Sequence, residues 1–180
     1  MRARQLLESN VQDLLNKAAH GLDGQIHRES GEMVRAYVRM EAGLSPHKSE
    51  DDQPDPENMD QLIFAWCENR VAEVYYELEY MGRNGFIPAW RVVTAAETWK
   101  PADWEHPGVY WSWDHDAAEA HWGEAQDGFK TWEMHADIPV GDIDWLITVM
   151  MNADPSYSEE KEIRVKQNAQ IKIKSVVEVG

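Results

Sequence analysis

Glu160 and Glu162 stand two apart in DPSYSEEKEIRV, residues 154–165, at the entry to a strand-like run. Period-two alternation along a strand turns both carboxylates to one side. Two carboxylates converging on one pocket raise each other's proton affinity and can divide labour, one stabilising positive charge and the other handling a proton. The same spacing also suits an acidic strand edge held in water. Arg91, in PAWRVV, carries a planar fork of donors inside an otherwise apolar strand. Such a fork suits a phosphate or a carboxylate, or else an edge strand that keeps its charged head in solvent.

A third stretch, GVYWSWDHDAAEAHWG over residues 108–123, ends a short strand in Ser112 between Trp111 and Trp113, with Tyr110 before them. A strand-end serine beside aromatic rings is placed to bond a ligand or to orient a carboxylate. The bland alternative is a surface turn followed by a capped helix. Asp114, His115, Asp116 and His121 invite a metal. But His115 and His121 are six apart and do not share a helix face, so no metal is expected.

These residues need elements to hold them. Leu6, Leu7, Val11, Leu14, Leu15 and Ala18 repeat at helical intervals, with Gly21 and Gly24 expected to end that helix. A second helical pattern runs from Met33 to Met40. Residues 45–60 hold six acids, three prolines and one lysine, a composition that reads as an exposed linker. Ile63, Trp66, Cys67, Val71, Val74, Tyr75, Leu78 and Met81 then mark the strongest helix of the chain, closed by Gly82 and the Arg-Asn-Gly after it. Beyond it, short strand-like runs cover 89–94, 108–113, 129–138, 143–150, 162–165 and 171–174, with a helix expected over 116–122. Helices first and strands later predict an α+β fold rather than alternating βαβ units. The expected division is a helical segment at 1–44, a linker at 45–60 and a main domain at 61–180.

Composition narrows the partners. The net charge of -16 opposes wrapping a long nucleic acid, because phosphate contacts need clustered lysine and arginine. It favours solubility and basic partners. Cys67 is the only cysteine, so no intrachain disulfide forms, which fits a reducing compartment. The start, MRARQLLESNVQDLL, lacks the apolar stretch of a signal peptide, and no window approaches the roughly 18 apolar residues of a membrane span. A cytoplasmic protein without a membrane partner is expected. Nine tryptophans, six between Trp90 and Trp122, imply either a thick aromatic core or a ring-lined pocket.

Taken in order, Arg91, Ser112 and Glu160-Lys161-Glu162 resemble the arginine, serine and Glu-x-Glu signatures of the ADP-ribosyltransferase family, over about residues 61–178. Val92 stands where that family often has glycine, and Trp-Ser-Trp lacks the hydroxyls that flank the family's serine. The resemblance implies a mostly antiparallel two-sheet core behind the N-terminal helices. It implies NAD as the substrate, no metal, and transfer of ADP-ribose to a macromolecular acceptor, protein rather than nucleic acid. By the same resemblance Glu162 is the catalytic carboxylate, Ser112 holds it, Arg91 grips NAD and Glu160 serves the acceptor. Tyr157 would recognise that acceptor, and Tyr110, Trp111 and Trp113 would stack on nicotinamide. The rivals are an NAD glycohydrolase and a non-catalytic acidic binding module.

Overall fold

A computed structural model of the chain describes residues 2–46, 54–99, 108–120, 127–169 and 171–179, with the backbone alone for 2–8, 29 and 30. By compactness the chain divides into two units, Met1–Tyr76 with Val149–Ser158, and Glu77–Thr148 with Glu159–Gly180. This division runs along other lines than 1–44, 45–60 and 61–180.

The first unit is helical. Helix α1, Arg2–Gln25, passes through Gly21 and Gly24 instead of ending there. It then makes a π-helical turn over Ile26–Ser30 and continues as α2, Gly31–Glu41. Burial overrides the glycines' low propensity, since Leu22 and Ile26 on either side of Gly24 are fully buried. Gly21 has its own reason to be glycine. A Cβ there would lie 2.7 Å from Cε of Met150, so any larger residue would oblige the end of that side chain to shift. Helix α3, Met59–Met81, buries Met59, Ile63, Cys67, Val71, Val74 and Leu78 along one stripe. Cys67 is fully buried as a free thiol, and burial pushes its pKa up to about 12. The acidic segment before α3 is not wholly exposed: buried Arg39 of α2 donates to Ser45 O at 2.6 Å and pairs with Asp55, itself partly sheltered.

The second unit is built on one five-stranded sheet, where two sheets were expected. The strands are β1 Phe86–Ala96, β2 Tyr110–Ser112, β3 Phe129–Pro139, β4 Glu162–Arg164 and β5 Lys172–Glu178. Their order is β4-β2-β1-β3-β5, and every pairing is antiparallel. The α+β architecture therefore stands. Ile87, Ala89, Trp111, Met134, Ala136, Ile138 and Ile163 are buried at alternating positions and form the core face.

Residues 143–150, expected as a strand, contain helix α5, Trp145–Ala153. A short, mostly apolar run, broken here only by Asp144 and Thr148, has too little periodicity to choose between the two states. Tertiary hydrogen bonds decide it: Ile143 makes one isolated bridge to Val165, and Thr148 Oγ1 then accepts from Arg164 N at 3.0 Å. Helix α4 runs from His115 to Ala120, and the expected extension to Trp122 lies outside the described residues.

Candidate functional site

Strand β1 pairs with β3 along its whole length, from Phe86↔Pro139 to Ala96↔Phe129. On its other edge it meets β2 only at Trp90↔Ser112. Beyond that pair the strands part and leave an open cleft of about 250 Å³. Trp90, Arg91, Val92, Tyr110, Ser112, Ala118 and Glu162 line it. Three residues singled out from three distant stretches of sequence, Arg91, Ser112 and Glu162, thus share one cleft.

Register explains part of this. Glu162 lies opposite Ser112, Ser112 opposite Trp90, and Trp90 opposite His135, so one cross-strand row carries all four. Residues directly opposite each other project from the same face of a sheet. Arg91 belongs to the next row, in step with Ile87 and Ala89. Its guanidinium turns into the opening, where Nη1 donates to Tyr110 O at 2.8 Å. A Cβ at position 108 would sit 2.3 Å from that Nη1, and Gly108 also has φ +90. The positive φ favours glycine there, and any side chain would displace the end of Arg91. Nε of Arg91 is buried with no acceptor among the described residues. Burial pulls the Arg91 pKa below its ordinary value, and the Glu162 carboxylate partly offsets this. Arginine keeps its charge throughout the physiological range, so the cleft holds a poorly hydrated cation with a donor to spare.

Ser112 is buried, and its hydroxyl lies 3.1 Å from Glu160 O and 3.2 Å from Lys161 O. It also lies 2.9 Å from Asp114 O, and it accepts from Asp114 N at 3.2 Å. Its one proton can serve only one of these carbonyls at a time. Ser112 therefore fixes the backbone leading into β4, and so the root of Glu162, through the main chain.

Lys161 explains why Glu160 does not join Glu162 in the cleft. Its φ of 51 is left-handed and breaks the alternation that would have aligned the two carboxylates. Glu160 sits in the preceding turn, half-buried, and is not among the residues lining the cleft. Of the expected aromatic platforms only Tyr110 lines it. Trp111 is 1% exposed and donates to Gly108 O, and Trp113 is 7% exposed with Lys161 Nζ over its ring. Both are packed in the protein, which withdraws them as stacking surfaces. Tyr157 belongs to the helical unit, in the turn that follows α5, 38% exposed.

The ring that sequence reasoning missed is Trp90. It stacks on His135 at 5.0 Å and 8° and meets the edge of His115 at 5.5 Å and 72°. The signal was present in PAWRVV, since a residue adjacent to a functional arginine on the edge of a split also reaches the opening. His115 Nε2 bonds Glu133 Oε2 at 2.8 Å, which raises the His115 pKa above 6.5. His115, Asp116 and Glu119 bring ligand atoms within 4.8 Å of one another, while His115 Nε2 is bonded to Glu133. His121 lies outside the described residues.

No protein-family model matches the chain, and neither a curated protein nor a solved structure matches it, so what the chain does must be inferred from the cleft itself.

Proposed function

We propose that the cleft cleaves the nicotinamide–ribose bond of NAD and passes the ADP-ribose to an acceptor. The observation that carries this is the convergence of Arg91, Ser112 and Glu162 on one opening at the edge of β1. The breaking C–N bond gives its electron pair to nicotinamide and leaves positive charge on the ribose. A fixed carboxylate next to that sugar stabilises the charge as it develops, as in glycoside cleavage. Glu162 has this role, positioned through the Ser112 clamp on the Glu160–Lys161 backbone. Arg91, with its buried Nε unsatisfied, takes a phosphate or ribose oxygen. Trp90 and Tyr110 line the opening and give aromatic surface for the leaving base. The acceptor attacks the sugar carbon with its lone pair and releases a proton to solvent or to a neighbouring base. A volume near 250 Å³ is below that of most small-molecule sites and suits one end of the dinucleotide.

A second reading, hydrolysis with water as acceptor, draws on one specific observation. Glu160, the group expected to serve a macromolecular acceptor, does not line the cleft. Incubating the protein with labelled NAD and host lysate separates the two, because transfer labels a partner and hydrolysis yields free ADP-ribose. Glu162→Gln keeps size and hydrogen bonding and should lower NAD consumption by about 10²-fold or more, with folding intact. Near wild-type consumption by that variant would sink both readings.

A further inference from the structure

Within the helical unit, two neighbouring hollows of about 510 and 330 Å³ share Glu41, Trp66, Arg70 and Glu73 as walls, and so form one continuous groove. Its composition is specific. Tyr37 of α2 and Trp66 of α3 lie parallel, ring centres 6.4 Å apart at 11°, and Tyr76 stands 55% exposed one helical face further along. Residues 66, 69, 70, 73 and 76 recur at three- and four-residue steps, so α3 presents one continuous stripe to the groove. The buried stripe of Ile63, Cys67, Val71 and Val74 is a separate one. Two carboxylates, Glu41 and Glu73, face a single guanidinium. Arg70 Nη1 is spent on Glu73 at 2.6 Å, while Glu41 has no ion-pair partner among the described residues. Met33, Tyr37 and Met40 add exposed apolar surface at i, i+4 and i+7 on α2, continuous with the Tyr37 wall.

We propose that this groove binds a basic segment of a partner protein, an arginine or lysine side chain entering beside Glu41 against the exposed ring of Tyr37, which the buried Trp66 backs. Aromatic faces beside carboxylates attract a cation through both the ring quadrupole and the charge. A chain of net charge -16 steers a positive segment toward it. The same charges repel a nucleic acid or an anionic surface. Methionine and tyrosine at the rim give apolar contact to the stem of the side chain and to its neighbours. The groove lies in a different unit from the NAD cleft, and its binding does not depend on what that cleft does.

The test uses the full chain and a synthetic peptide of alternating arginine and alanine, followed by isothermal titration and tryptophan emission. Binding is expected for this peptide and for its lysine counterpart, and not for a glutamate counterpart. Glu41→Gln with Tyr37→Ala should weaken it about tenfold, whereas Glu97→Gln with Glu178→Gln, in the second unit, should leave it unchanged. Arg70→Gln releases Glu73 for the incoming cation and should strengthen binding several-fold, a gain that misfolding cannot imitate. Equal weakening by both double variants would reduce the effect to bulk charge and overturn the proposal. So would displacement of the peptide by spermidine at matched charge, which would make the groove a site for small cations, and so would unchanged or weaker binding by Arg70→Gln.

Discussion

The two edges of strand β1 carry opposite solutions to the same problem. Toward β3 every residue is registered, and Ile87, Ala89, Met134 and Ala136 close the core face with no exposure. Toward β2 the ladder holds at Trp90↔Ser112 alone, and what would have been further rungs is taken over by a side chain, the Arg91 guanidinium on Tyr110 O. One edge is stabilised by continuous pairing. The other gives up pairing and places there an arginine, a serine and a carboxylate that a complete ladder would have left no room to converge. On the proposed function, stability and chemistry are divided between the two sides of one strand, and substitutions on each side should fail in different ways.

The largest effect should come from the closed edge. Met134→Ala removes a fully buried side chain and should destabilise the protein by about 2–5 kcal/mol in urea unfolding, while the folded fraction keeps the proposed NAD turnover. On the open edge, Gly108→Ala forces a side chain onto φ +90 and onto the Arg91 guanidinium. The strain should cost about 1–2 kcal/mol. Because the guanidinium is displaced, KM for NAD should rise, and it should rise likewise in Arg91→Lys, which keeps the charge but loses the fork. A stability loss with an unchanged KM would show that Arg91 does not hold the ligand.

Ser112→Ala comes next. It deletes the proton shared among the Glu160, Lys161 and Asp114 carbonyls, worth about 1 kcal/mol of stability. Turnover should fall by more than affinity, since Glu162 is loosened and Arg91 is untouched. Equal changes in both would mean that the serine touches substrate directly.

The smallest effect should be a pH dependence near Trp90. His115 has its pKa raised above 6.5, first by its hydrogen bond to Glu133. A group whose folded value is raised contributes stability fully below its unfolded value and loses that contribution as pH climbs through the folded one. The gain should therefore be present below about pH 6.5 and disappear above it, and it should be small because the His115 side chain is 40% exposed. Glu133→Gln should flatten this dependence in denaturant midpoints taken on both sides of that window. Trp90 emission, read as the difference from Trp90→Phe, should follow the same titration.

Helices α1 to α3 and five of the six strand runs were legible because each carried its own pattern: α3 by its 3.6-residue stripe, β5 by alternation at 171–174. The order Arg91, Ser112, Glu162 could be read as a single site because type and sequence order survive without coordinates. Three things could not be read. Lys161 adopts a left-handed conformation that no lysine announces, and one such residue turns Glu160 out of step. The run at 143–150 is mostly apolar and too short to show a period, so its helix is chosen by bonds to Arg164 and not by pattern. The tryptophans flanking Ser112 looked like a binding wall, yet Trp111 lies in the core row with Ile163, a distinction that only register makes.

Cys67 gives the helical unit a chemical clock. Alkylating reagents attack the thiolate, and this thiol is both sealed from solvent and held protonated by a pKa of about 12. In the closed molecule it is inert. Each modification event therefore records an opening of the packing around α3, and with no other cysteine in the chain the labelling is site-specific without engineering. The rate of thiol loss, compared with that of an unfolded control, counts how often the interior of this unit is exposed to water.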